Sequence, residues 1–119
     1  MNVGEAIAAH GQWKVRLRGA ISGQGDRLDA ATVRQENQCE LGQWILGEGQ
    51  RYNTLPVFTE LRQAHAEFHR AAADIIEAVN QGDRATAERL LDDIAGTYRA
   101  NSRRILVALQ KLQPVVSGP

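Results

Sequence analysis

The 119-residue chain reads as all-α: an antiparallel four-helix bundle with a short irregular or helical insertion between helices one and two. Three observations predict this class. Apolar residues recur at spacings of three and four through long segments near the start, the middle and the end. No stretch alternates apolar and polar residues with period two for long enough to make a strand. Helix-stopping residues stand where the periodicity lapses, among them Gly23, Gly49, Pro56, Gly82 and Pro114. The length suits one core, so residues 1–113 are expected to form a single domain, followed by a short tail over 114–119.

Val3, Ile7, His10, Trp13 or Lys14, Leu17 and Ile21 mark the first amphipathic helix, about five turns long. Glu5 lies in its first turn and Lys14, Arg16 and Arg18 lie further on, the order a helix dipole favours. Ser22-Gly23-Gln24-Gly25-Asp26 ends it as a loop. Asp29 is placed to cap a short turn through Val33, and Asn37 to cap a second helical segment from Cys39 to Glu48, with Gly49 as a left-handed terminator. Gln50 to Leu55 reads as a loop. Pro56 then suits a first helical turn, and the helix it opens runs to about Gln81, where Gly82 stops it. Its stripe is Phe58, Leu61, His65, Phe68, Ala72, Ile75 or Ile76, and Val79, with His69 at the edge. Asp83 caps a last helix expected to continue to Gln113, before Pro114. There Leu91, Tyr98, Ile105 and Leu112 repeat at seven, flanked by Ile94, Ala95, Ser102 and Leu109, a bundle seam.

Fourteen basic and fourteen acidic residues leave a formal charge of zero. Nucleic acid is a poor match for that balance, because domains that track phosphates carry a basic excess. No apolar run approaches the ~18 residues that span a bilayer, and the first residues lack a basic region followed by an apolar one. The expectation is a soluble, cytoplasmic chain with no membrane partner. Its single cysteine cannot close an internal disulfide, which fits a reducing compartment and leaves the thiol available as a ligand or a redox target.

Chemistry-bearing residues concentrate between Cys39 and His69, which hold the only cysteine and two of the three histidines. His65 and His69 are four apart, so on a helix they share a face. His10 is on the apolar stripe of the first helix. Three imidazoles and a thiolate supply the four donors of a closed tetrahedral Zn²⁺ site, and Cys39 in a helical first turn is expected to have a lowered pKa. The other reading of the same residues is a buried polar cluster satisfied by hydrogen bonds, in a metal-free helical module that docks a partner helix. Catalysis fits neither. An enzyme site needs an open metal position, a di-iron carrier needs more histidines than three, and Gly23-x-Gly25 follows a helix without a Gly-Lys-Ser/Thr to cradle phosphate. Around the donors, Trp13 and Trp44 are packing candidates, Gly42 permits a close helix approach, and Glu36 and Glu40 are candidate outer carboxylates.

His10-x-x-Trp13-Lys14-x-x-Leu17, Cys39-x-Leu41-Gly42-x-Trp44 and His65-x-x-x-His69 together resemble the chemoreceptor zinc-binding domain, over nearly the whole chain. The resemblance implies a Zn²⁺ held by His10, Cys39, His65 and His69. It further implies a cytoplasmic sensory module of bacterial signalling, homodimeric, coupled to a chemoreceptor region or a diguanylate cyclase, with Cys39 as a redox-sensitive ligand open to oxidants such as hypochlorous acid. Neither output companion is present here, and no Gly-Gly-Asp/Glu-Glu-Phe motif occurs.

Overall fold

Asn2 starts the first helix: its side-chain oxygen accepts the Glu5 amide at 2.9 Å, and α1 runs Val3–Ser22 until Gly23 turns left-handed at φ 76°. The computed structural model describes residues 1–25 and 27–116; Asp26, the end of the expected loop, and residues 117–119 of the expected tail lie outside the described residues. A crossover of short elements follows, with α2 at Ala30–Arg34, a 3-10 turn at Glu36–Gln38, α3 at Glu40–Leu46 and a second 3-10 turn at Glu48–Tyr52. Pro56 opens the longest helix, α4, at Pro56–Asn80. Gly82 at φ 79° reverses the chain, the Asp83 carboxylate caps α5 (Arg84–Asp92) by accepting the Thr86 amide at 3.1 Å, and α6 completes the fold at Thr97–Val116.

Among the described residues every regular element is helical, and the class is the all-α bundle expected. Its four segments are α1, α3, α4 and the broken rod α5–α6, with α2 and the first 3-10 turn as the insertion. α4 is the centre, packing against α1, α2, α5 and α6. Phe58, Leu61, Phe68, Ile75 and Ile76 from α4 meet Leu17, Ile45, Leu91, Ile105, Leu109 and Leu112 in one core. Phe68 lies against Tyr98 at the start of α6, while Glu60, earlier on α4, pairs with Arg104, later on α6; the two helices are therefore antiparallel. Arg18–Asp92, Arg34–Glu77 and Arg104–Glu67 tie neighbouring elements at the surface. Such exposed pairs are worth at most ~1 kcal/mol each, so they help fix register while the apolar core carries the stability.

Four local expectations are corrected. Cys39, not Asn37, caps the third helix, because Glu36–Gln38 is already a 3-10 turn. That helix ends at Gly47, and Gly49 is no left-handed terminator: it is buried within the second 3-10 turn, where an added Cβ would lie 2.7 Å from the Trp44 carbonyl oxygen. The last helix is two helices. Adjacent Asp92 and Asp93 oppose the dipole at the end of α5, and the Asp93 carboxylate takes the Ala95 amide at 3.1 Å in place of a helical bond. Ile94, expected in the seam, lies in that break and is 68% exposed. Pro114 does not stop α6, which runs two residues beyond it. The proline removes only a bond to the carbonyl of Gln110, a residue on the exposed side of the helix.

Candidate metal centre

Three elements deliver the polar groups. α1 carries His10 on its buried stripe, and α4 carries His65 and His69 one turn apart. Cys39 sits at the mouth of α3, where the chain is extended (φ −106°, ψ 159°) and the thiol faces back over the first turn. The imidazoles are deeply buried, at 8, 0 and 2% exposure for His10, His65 and His69. Burial of that kind demands partners for every ring nitrogen.

Those partners divide by nitrogen. On the outer side, His69 Nδ1–H donates to the Val33 carbonyl at 2.8 Å and His10 Nδ1–H to the Ala6 carbonyl at 3.2 Å. Each carbonyl fixes the tautomer and leaves a bare Nε2 lone pair on the inner side. There His65 Nε2 lies 3.1 Å from His69 Nε2 and 3.2 Å from Cys39 Sγ, and His69 Nε2 lies 3.5 Å from the same sulfur. One donor atom from each of the four residues falls within 4.8 Å of the others. A tetrahedron with Zn–N and Zn–S bonds of ordinary length has edges of about 3.3–3.7 Å, which the spacings among Cys39, His65 and His69 approach, while the four donors as a set span up to 4.8 Å. Among the described residues His10 Nε2 has no hydrogen-bond partner although it is buried. A shared cation satisfies that lone pair, and a neutral hydrogen-bonded cluster does not. The residues therefore fit the ion.

Electrostatics point the same way for the histidines and the opposite way for the cysteine. Burial lowers all three imidazole pKa values, His10 to about 4 and His65 to about 2; repulsion from His69 adds to the effect at His10 and from His69 and His10 at His65, while the Val33 carbonyl and Glu36 partly offset it at His69. At neutral pH each is uncharged, the form a metal binds. The lowered thiol pKa expected from the helix start is not found. Burial pushes the Cys39 thiol up and the Glu36 carboxylate adds to it, outweighing the Gly42 and Leu41 amides that pull it down. In the metal-free chain Cys39 is a thiol, its S–H facing the Glu36 carbonyl at 3.5 Å while its sulfur accepts the Gly42 amide at 3.3 Å.

The neighbours have distinct jobs. Gly42 is there because nothing larger fits: an added Cβ would sit 1.7 Å from the Glu36 carbonyl oxygen and 3.2 Å from His65 Cε1. Trp13 stands edge-on to His69 at 5.8 Å with the Arg16 guanidinium over its face. Trp44 packs on Tyr52 and Phe58. Glu36 contributes mainly its carbonyl; Glu40 is exposed beside the cysteine and bonds to none of the donors. The carbonyls of Ala6, Val33 and Glu36 went unread in the sequence. Ala6 was reachable from the i−4 spacing to His10, but backbone acceptors leave no residue-type signal.

No curated protein and no solved structure matches the chain significantly. The family described as chemoreceptor zinc-binding domain matches residues 10–76. That span is more than half of the sequence; it begins on the first donor and runs past the last. With the family's matched stretch and the buried three-histidine, one-cysteine cluster coinciding, the chain is a member of the chemoreceptor zinc-binding domain family.

Proposed function

We propose that this domain is a cytoplasmic zinc-binding sensory module that responds to zinc availability, to oxidation of Cys39, or to both, in bacterial signalling of the chemotaxis or cyclic-di-GMP type. The observation that carries the reading is the convergence of three inner Nε2 atoms and one Sγ from three separate elements. When bound, Zn²⁺ supplies a closed four-bond crosslink and no vacant position for a substrate or water, so a catalytic role is not part of the reading. His65 and His69 supply a fixed pair on α4, while His10 and Cys39 tie α1 and α3 to it. Losing the shared ligand leaves the buried His10 Nε2 lone pair without a partner beside two further imidazoles and a thiol, which favours separation of α1 and α3 from α4. Conversion of the Cys39 thiolate to a sulfenate weakens the single anionic donor and has the same direction.

A second copy of the chain and a signalling output protein of chemoreceptor or diguanylate cyclase type are the partners this reading includes. Exposed Leu106, Val107 and Val115 on α6 support the pairing surface. Among the described residues no helix is long and apolar enough to cross a membrane.

Metal analysis of tag-free protein tests the reading. Wild type is expected to hold about one zinc per chain, and Cys39→Ala to lose most of it. Chains that stay metal-free after zinc is supplied, yet melt at the same temperature with and without chelator, would turn the reading to a metal-free docking module.

A further inference from the structure

Two of the four donors are sealed and two are not, and the unsealed pair opens onto a feature the zinc reading does not require. His65 and His69 are 0 and 2% exposed, whereas His10 and Cys39 both line a cavity of about 320 Å³ between α1 and α3. Glu5 from α1, Glu40 from the first turn of α3 and Glu48 from the second 3-10 turn also line it, all three exposed. The lining holds three carboxylates against one cationic group, the Met1 amino terminus, and no lysine or arginine; among the described residues none of these carboxylates has an ion-pair partner within 4.0 Å. The wall includes His10, 8% exposed, whose unpartnered Nε2 is one of the four donors.

His10 also borders a second, smaller cavity of about 190 Å³ between α1 and α6. Arg103 is the only formally charged residue lining it. The two cavities that border His10 thus differ in charge. A divalent cation is drawn to the glutamate side and repelled from the arginine side.

We infer that the Glu5–Glu40–Glu48 cavity is the exchange port of the metal centre: it captures hydrated divalent cations from solution, hands them to His10 and Cys39 first, and resists anionic chelators. The inference rests on the zinc reading and adds the route and its charge selectivity. Replacing a bound cation's water by donors one at a time needs an approach that stays wet and negative up to the first ligand, and this cavity provides it.

The test is the kinetics of zinc uptake and removal in the full chain, with Glu5→Gln/Glu40→Gln/Glu48→Gln and Arg103→Gln as the variants. Uptake of Zn²⁺ by metal-free protein, followed by tryptophan fluorescence, is expected to slow about tenfold in the triple variant at low ionic strength. The difference should shrink to under about twofold at high salt, and the final stoichiometry should stay that of the wild type. The bimolecular removal rate with EDTA, an anion, should move the other way and increase. Zinc bound normally with both rates unchanged in the triple variant would overturn the port while leaving the zinc reading intact. Faster uptake in Arg103→Gln, with the glutamates irrelevant, would place the route between α1 and α6 and also overturn it. Failure of every form to bind zinc would remove the reading beneath it.

Discussion

The seam between α4 and α6 and the cluster joining α1, α3 and α4 are built on the same central helix, and they are stable for different reasons. In the seam, Phe68, Tyr98, Ile105, Leu109 and Leu112 fill one another's gaps and need nothing from outside. In the cluster, three buried imidazoles meet a thiol, and among the described residues the inner His10 Nε2 finds no protein partner. Apolar burial closes on itself, while a converging donor set is complete only with a shared ligand. A single helix can therefore carry a permanent half and a conditional half.

The sharpest way to break the comparison is to remove the metal. Structural zinc contributes on the order of 10 kcal/mol in small domains. Chelation is expected to lower the melting temperature strongly and to collapse amide-exchange protection in α3 and the first half of α1 well before α4 and α6. Uniform loss of protection would mean the two halves are one cooperative unit.

Leu109→Ala attacks the other half. Its fully buried side chain makes a cost of about 2–5 kcal/mol the expectation, equal with and without zinc, by denaturant unfolding of both forms. A cost appearing only in the zinc form would show that the seam too depends on the centre.

Titration reaches both halves: the buried imidazoles weaken the metal-free fold on the acid side, and Tyr98 of the seam, together with the Cys39 thiol that burial also pushes up, weakens it on the alkaline side. His10 ionises at about 4 in the fold against an ordinary 6.5. Protons therefore bind the unfolded chain first, and stability of the metal-free protein, full above pH 6.5, is lost as pH falls towards 4. The loss for this one group is about 3 kcal/mol. In the seam, burial raises the Tyr98 hydroxyl from 10 to about 12, so its neutral form is favoured in the fold and stability is lost as pH rises from 10 to 12. Unfolding free energy measured across pH should show both limbs; His10→Gln should flatten the acid one and Tyr98→Phe the alkaline one.

The seam and the helix punctuation were legible from residue types. Pro56, Gly82 and Asp83 act through backbone geometry and capping that belong to those residues wherever they occur, and the heptad of Leu91, Tyr98, Ile105 and Leu112 is buried throughout. The meeting of His10 with the His65 and His69 pair was half legible, since all three lay on apolar stripes. The break at Asp93 was not, because helical periodicity continues through Ile94 and a single carboxylate bonding two residues ahead decides the matter. The direction of the Cys39 shift was hidden for a related reason: it is a balance between burial and three amides, and sequence reports only the amides.

The spacing of the donors along the chain sets an order of assembly. His65 and His69 are four residues apart, whereas Cys39 stands 26 and 30 residues from them. A lone turn of α4 already presents a two-pronged clamp at the cost of local helix alone, but recruiting the thiol closes a long loop, and recruiting His10 closes a longer one. The nascent chain thus has its clamp available only once α4 has emerged, after both other donors have waited unpaired. Folding around the ion then proceeds backwards against the direction of synthesis, with α4 first, α3 next and α1 last.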